Sequence, residues 1–342
     1  MAHSSALQTW DVHAHHLPES AIALMGHGVA AVGLDTVDGI RDSITVNGMP
    51  VGATVQQLAD SRALVAATDR SGIDRRVVSP PPFTYRYWDD PRTTLRLHRL
   101  LNDATASLVA THPDRFVGLA TVPLQDNDLA IGELRRARVE LGLVGLTVGT
   151  NVAGGNIADE IRRPVLAAAA ESDTPILVHP DFVPNPRWGT HYLINLLGMP
   201  VDTAIAMANL AFSGRFADYP GLRFCFLHGG GAAPYLFGRW DRGWRVRTET
   251  KVDIDRPPST QLETVFCDSL THSPQALAYL VEVMGAEKVV IGTDAPFDVE
   301  DSEPLASLAA APRLSEEDRV TIRSISPLAW LYGLVSDSSP GA

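Results

Sequence analysis

The chain is predicted to form an α/β fold, a (β/α)8 TIM-like barrel with a small insertion after the first strand. Three observations carry this expectation. Eight short runs rich in β-branched and aromatic residues alternate with eight segments of helical periodicity. Five metal-type ligands, His13, His15, His179, His228 and Asp294, follow or end such runs, where a barrel collects its chemistry. A doubly wound open sheet would want a glycine-rich phosphate loop after its first strand, and His13-Ala14-His15 stands there instead.

The strand-like runs are 8–15, 73–79, 116–123, 144–150, 175–180, 222–228, 264–269 and 288–293. The helical segments are 55–70, 92–111, 127–141, 159–172, 201–217, 232–246, 273–285 and 315–333. Strand followed by helix, eight times over, implies parallel strands joined by crossover helices, and eight such units close a barrel. Gly72 and Gly142 suit helix C-caps ahead of the second and fourth strands. Ser79-Pro80-Pro81-Pro82 and Pro184-Asn185-Pro186 suit irregular loops after strands two and five. Residues 17–54 are too long for a plain loop. Six glycines and the apolar run Ile44-Thr45-Val46 make them an inserted small hairpin over the barrel mouth. Residues 1–342 then form one barrel domain, with a frayed tail over 336–342.

Composition narrows the function classes. At 342 residues and 45% apolar, the chain can bury one large core. A net charge of −12 argues against nucleic-acid and anionic-membrane partners. It leaves a small anionic substrate open, because the local field outweighs net charge at a pocket. Cys225 and Cys267 sit inside apolar runs and read as buried free thiols. Met1 to Thr9 lack the basic and apolar regions of a signal peptide. No run reaches the roughly 18 consecutive apolar residues of a membrane span. A soluble, cytoplasmic protein is expected.

The ligands have a geometric logic. His-x-His on a strand turns both imidazoles to one face, which makes half of a metal site. His179 alone suits a core histidine as well as a ligand, but Pro180 breaks the strand there and puts it at the rim. His228 precedes Gly229-Gly230-Gly231, which permits close backbone approach or a plain loop. Asp294 ends an apolar run, and a buried carboxylate needs a cation or strong donors. His16 points to the opposite face and reads as structural, while His191 lies within reach of the pocket. His3, His27, His98, His112 and His272 read as surface or helix residues.

Four motifs resemble the amidohydrolase superfamily. They are Asp-Val-His-Ala-His-His-Leu-Pro at 11–18, Val-His-Pro at 178–180, His-Gly-Gly-Gly at 228–231 and Gly-Thr-Asp-Ala-Pro-Phe at 292–297. The likeness is to its amidohydrolase 2 members, in the branch of α-amino-β-carboxymuconate-ε-semialdehyde decarboxylase. The segments 115–123, 197–200 and 234–239 extend it, over roughly 8–335. The resemblance implies that His13, His15, His179 and Asp294 bind one divalent metal, zinc or alternatively manganese. His228 would be the acid/base acting on the metal-bound water, and Asp294 would share in the chemistry. Arg239 would reach the neighbouring subunit of a homodimer to hold a substrate carboxylate. Phe297, Tyr192, Trp88 and Tyr85 would shape the pocket. Binuclear relatives use a carboxylated lysine at the end of strand four. Here that end reads Leu146-Thr147-Val148-Gly149-Thr150, and the first lysine is Lys251, which implies a single metal.

The activity so implied is metal-dependent non-oxidative decarboxylation of a small unsaturated or aromatic carboxylic acid. The alternative is hydrolysis or hydration of a related small carboxylate, and a non-catalytic binding role is a third reading. Departures from the pattern concern the substrate. The insertion shows no clearly placed arginine where the family has a second carboxylate anchor; Arg41 and Arg62 are candidate substitutes, but each reads better as a solvated arginine. Ala295 stands where the family often has tyrosine, and Tyr192 where it has tryptophan.

Overall fold

Runs of valine, leucine, isoleucine and phenylalanine, apolar on both faces, pair in parallel in the computed structural model, as strands covered on both sides must. The structure describes residues 7–181 and 185–334. The tail over 336–342, Pro184 and His3 lie outside the described residues. The barrel strands are β1 (Trp10–His15), β2 (Arg75–Ser79), β3 (Phe116–Ala120), β4 (Gly145–Gly149), β5 (Ile176–His179), β6 (Phe224–Phe226), β7 (Val265–Asp268) and β8 (Val289–Val290). They neighbour one another in chain order. Hydrogen bonds join the last to the first: Val12 N–H donates to Ile291 C=O at 2.8 Å, and His15 N–H to Ala295 C=O at 2.8 Å.

The covering helices are α1 (Ser61–Arg70), α2 (Pro91–Thr111), α3 (Asn127–Val139), α4 (Arg163–Glu171), α5 (Met199–Phe212), α6 (Ala233–Val246), α7 (Pro274–Met284) and α8 (Ser326–Tyr332). Proline in the first turn of all but α1 and α3 presets the helical φ where an N–H is not needed. One apolar cluster draws Val12, Val77, Leu119, Leu177, Cys225, Phe266 and Val290 from seven strands and so fills the barrel interior. A second packs Leu146, Val178 and Phe224 against Leu134, Leu166 and Leu210 of the helices. Cys225 and Cys267 are both buried and free.

Several expected helices are divided. The segment 55–70 breaks at Asp60, whose extended backbone and side chain cap α1 by accepting from Arg62 N–H. The segment 201–217 stops at Phe212, and left-handed Gly214 separates it from Arg215–Asp218. The last segment is three pieces, Glu316–Val320, a π turn Thr321–Ile325, and α8. The final strand is shorter than expected, since only Val289 and Val290 join the ladder. One stretch, Ile194–Phe212, is long and apolar enough to cross a membrane by length and composition, although it holds no unbroken apolar run of that length. Asn195, Asp202 and Asn209 interrupt it, and Ala206, Met207, Leu210 and Ala211 bury it in the core around the barrel.

The segment after β1 is a three-stranded antiparallel sheet, Val32–Val37, Ile40–Val46 and Met49–Thr54, instead of a single hairpin. Asp38-Gly39 and Asn47-Gly48 turn its corners, with φ of 51°, 81°, 52° and 76°. Positive φ at both central residues matches the right-handed twist of the paired strands. Val32, Ile44 and Ala53 pack with Leu17, Leu58, Leu97, Leu101 and Phe297, which attaches the sheet to α2 and to the loop after β8.

Candidate metal centre

Alternation along β1 puts His13 and His15 side by side, with ring centroids 5.2 Å apart. The end of β5 brings in His179, and the chain after β8 brings in Asp294. The ligand atoms of these four buried residues all lie within 4.8 Å of one another. Nε2 of His13 and of His15 lie 3.1 and 3.0 Å from Oδ1 of Asp294. Among the described residues no other group of histidine, cysteine and acidic side chains converges in this way.

Neighbouring groups orient the imidazoles. His13 Nδ1 lies 2.8 Å from Asp268 Oδ2, and His179 Nδ1 donates to the Pro180 carbonyl at 2.8 Å. These bonds leave the lone pairs on Nε2. Nε2 of His13 and of His179 are buried with no hydrogen bond of their own. At His13 and His179 a paired Nδ1 and a bare Nε2 are what a cation requires of an imidazole ligand, while at His15 Nε2 lies against Asp294 Oδ1 and Nδ1 is the unpaired atom.

The charge balance agrees. Burial opposes a charged His13, but the Asp294 and Asp268 carboxylates outweigh it and hold its pKa up at about 10. Burial prevails at His15 and lowers its pKa. At His179 burial, joined by the three other imidazoles, pushes it well below the usual range. Burial works against the Asp294 carboxylate too, but His13, His15 and His228 overcome it and lower its pKa strongly. The Asp294 and Asp268 carboxylates thus draw positive charge onto the dry centre, and a metal ion would take the place of the proton they hold on His13.

His228 stands beside this group. Its Nε2 is 3.5 Å from Asp294 Oδ2, and its ring is 5.2 Å from those of His13 and His179. The turn that presents it is left-handed at His228 and at all three following glycines, with φ between 56° and 72°. A Cβ on Gly231 would fall 2.1 Å from the Pro200 carbonyl oxygen, so the glycines serve a close approach and not a plain loop. Asp294 also has positive φ, at 63°. Such conformations cost energy outside glycine and are held here by the surrounding structure.

Beneath the ligands, Asp11 ties β1 to the chain after β8. It accepts from Thr293 Oγ1 at 2.6 Å and from the N–H of Thr293 and of His13, and pairs with buried Arg76 at 3.0 Å. Burial raises the Asp11 pKa, against Arg76, Thr293 and His13. At the end of β4, Thr150 donates to Asp202 and no lysine is near in sequence.

A cavity of about 800 Å³ opens at Asp294 and His228, lined also by Asp298 and Glu300 with Leu270 and Leu280. A smaller one of about 140 Å³ lies under the inserted sheet and shares Asn195 and Met199 with the first. Trp88 and Tyr192 line the smaller cavity. Phe297 packs its ring 5.2 Å from that of His15. Tyr85 offers no surface to either cavity. It is fully buried, stacked on Tyr87, with its hydroxyl 2.7 Å from Thr147 Oγ1. Arg239 lies exposed on α6 and lines neither cavity, and exposed His191 likewise lines neither. Arg41 and Arg62 are exposed away from the metal ligands. His16 is buried, and burial lowers its pKa to about 4.

Sequence reading passed over four residues. Asp268 ends an apolar strand just as Asp294 does, and that signal was available. His98, read as a surface or helix residue, is in α2 but fully buried, with Nε2 against the carbonyls of Thr84 and Tyr85. His272, read likewise, is exposed but lines the larger cavity. Arg86 bonds the carbonyls of Met25, His27 and Ala30, which no local pattern announces.

A family model described as amidohydrolase matches residues 10–323. A 2-amino-3-carboxymuconate-6-semialdehyde decarboxylase of Dictyostelium discoideum is 31% identical over 326 residues, covering 94% of this chain and 90% of that protein. A γ-resorcylate decarboxylase of Rhodococcus jostii is 31% identical over 257 residues, covering 66% and 73%. Among solved structures, a dihydroxybenzoic acid decarboxylase of a Polaromonas species, with bound manganese and the inhibitor 2-nitroresorcinol, superposes with a TM-score of 0.78. It is 24% identical, covers 95% of this chain and 97% of its own, and shares the fold. With the model spanning nearly the whole chain, the protein belongs to the amidohydrolase family.

Proposed function

We propose that the protein is a metal-dependent, non-oxidative decarboxylase of a small unsaturated or aromatic carboxylic acid. The observation that carries this is the convergence of His13, His15, His179 and Asp294 at the C-terminal ends of the strands, with His228 beside them and with Asp294 and His228 lining a cavity. Decarboxylases among the relatives support the reaction class. The four residues would hold one divalent ion, which supplies Lewis acidity toward oxygen when bound. Three imidazoles and a carboxylate suit zinc. Manganese, present in the similar Polaromonas enzyme, is the alternative.

The chain's own groups do the rest. Decarboxylation breaks a carbon–carbon bond and leaves an electron pair on the substrate carbon, which must receive a proton. His228 and Asp294 both line the cavity, and His228, with Nε2 3.5 Å from the Asp294 carboxylate, is the group placed to deliver that proton while Asp294 orients it. Asp268 and Pro180 keep the His13 and His179 rings in position throughout. Phe297 shields the His15 side from water. Trp88 and Tyr192 border the smaller cavity as substrate-shaping residues.

We further propose a homodimer in which the exposed Arg239 serves the neighbouring subunit, and a cytoplasmic location consistent with two free cysteines. The test is carbon dioxide release from a panel of unsaturated and aromatic acids by zinc- or manganese-loaded protein. A product heavier by one water, without carbon dioxide, would replace decarboxylation by hydration. His228→Ala is expected to lower turnover at least a hundredfold while metal content by mass spectrometry stays unchanged.

A further inference from the structure

Large apolar side chains left open to water are ordinary when scattered and informative when gathered. Val29, Met49, Trp88 and Tyr192 are 44, 53, 42 and 44% exposed, and all four line the smaller cavity under the inserted sheet. We infer that this cavity is a subsite for an uncharged apolar substituent of the substrate, a few carbons in size, carried by the molecule whose acid group meets the metal ligands. The subsite rests on the decarboxylase reading for that acid group and adds the nature of the substituent. Its occupant is independent of the carboxylate contact proposed for Arg239.

The walls are mostly apolar and adjoin the metal ligands. Val46 and Val51 of the inserted sheet and Phe83 of the loop after β2 line the cavity and pack against the apolar cluster that holds Phe297. The Phe297 ring lies 5.2 Å from that of His15, so the wall is one side chain away from a metal ligand. Tyr192 makes a second link. Burial raises its pKa, and the Asp298 and Asp294 carboxylates push it the same way from nearby. Asn195 and Met199 border both cavities, which sets the smaller one against the larger, where Asp294 and His228 stand. The charged residues of the wall are Arg86 and Asp89, which pair with each other at 2.6 Å, and Asp181, which is 8% exposed.

Arg86 holds this wall in place before any substrate arrives. Its Nη1 donates to the Met25 and Ala30 carbonyls and its Nη2 to the His27 carbonyl. These bonds fix the chain leading into the inserted sheet against the loop after β2. Gly28, with φ of +86°, permits the approach, since a Cβ there would fall 2.6 Å from Arg86 Nη2. A cavity held open in this way pays little ordering entropy when it is filled. Its volume of about 140 Å³ is several times the roughly 30 Å³ share of one water in the liquid, enough for a short alkyl chain. Each methylene buried there is worth about fourfold in binding.

The experiment compares salicylate with its methyl and propyl derivatives, substituted at each free ring carbon in turn, on the manganese-loaded full chain. Calorimetric binding and carbon dioxide release are both measured. At one ring position the propyl compound is expected to bind at least tenfold more tightly than salicylate. Val29→Trp and Met49→Trp, at two exposed positions on the wall, are each expected to erase that ratio by filling the space. No gain at any position, failure of the whole series to bind included, would overturn the inference. So would a gain that neither variant reduces. A shift of either variant toward monomer in analytical ultracentrifugation, with no alkyl gain, would assign the face to a second copy of the chain instead. If the gain and its loss in the variants persist without carbon dioxide release, the subsite stands and the decarboxylase reading fails. If carbon dioxide is released with no alkyl preference, the reading stands and the subsite falls.

Discussion

His13 can present Nε2 to a cation only while the proton on Nδ1 is held, and Asp268 holds it at 2.8 Å. Asp268 is itself fixed by the N–H groups of Gly229 and Leu270, at 2.7 and 3.3 Å. Asp268→Asn keeps the shape and removes the charge. It is expected to weaken metal binding by about 10–100-fold, read by competition with a chelator. His98 sets a second expectation. Burial, opposed by the Thr84 and Tyr85 carbonyls, depresses its pKa from 6.5 to about 4. The unfolded chain therefore binds the proton more readily between those values. The stability tied to neutral His98 is complete above pH 6.5 and is lost as pH falls toward 4. The full loss is about 3 kcal/mol. Denaturation of the protein and of His98→Gln at pH 7 and pH 5 checks this, the variant losing part of the acid sensitivity. Both residues were legible in principle. Asp268 ends an apolar strand, and His98 shares the helical spacing of buried Thr94, Leu97, Leu101, Asn102 and Thr105. The Asp268 contact could not be read, because its partner lies 255 residues away.

At the scale of elements, the turn after β6 depends most on backbone freedom. Gly231 combines φ of +60° with a carbonyl where a Cβ would go. Gly231→Ala is expected to cost about 2–4 kcal/mol in urea denaturation and to reduce activity by displacing His228. The inserted sheet shows how turn chemistry can be underread. Asp38-Gly39 and Asn47-Gly48 are two strong hairpin signals nine residues apart, and two turns mean three strands. The break at Asp60 was equally local, since an aspartate two residues ahead of Arg62 N–H is a helix cap. The division of 315–333 had no such signal. A π turn at Thr321–Ile325 inserts residues without changing the apolar spacing that predicts a continuous helix.

Across the whole molecule, a divalent ion would link β1, β5 and the chain after β8, so binding should report as stability. Zinc or manganese at 100 times its dissociation constant is expected to add about 2.7 kcal/mol, and chelation to remove it. A melting temperature indifferent to chelator and metal would count against the centre. The eightfold alternation of strand and helix determined the barrel from sequence alone, because the periods of two and 3.6 and the demand for burial act locally. The same local logic determined which residues stand at the strand ends, His13, His15, His179, His228 and Asp294. Only the tertiary structure decided how they are oriented, through Asp268, Asp11 and the left-handed turn at His228. It alone decided that Tyr85 is core, that Arg86 is spent on carbonyls, and that Asp298 and Glu300 face the cavity. Those outcomes depend on groups distant in sequence meeting at hydrogen-bonding range, and no spacing along the chain encodes that distance.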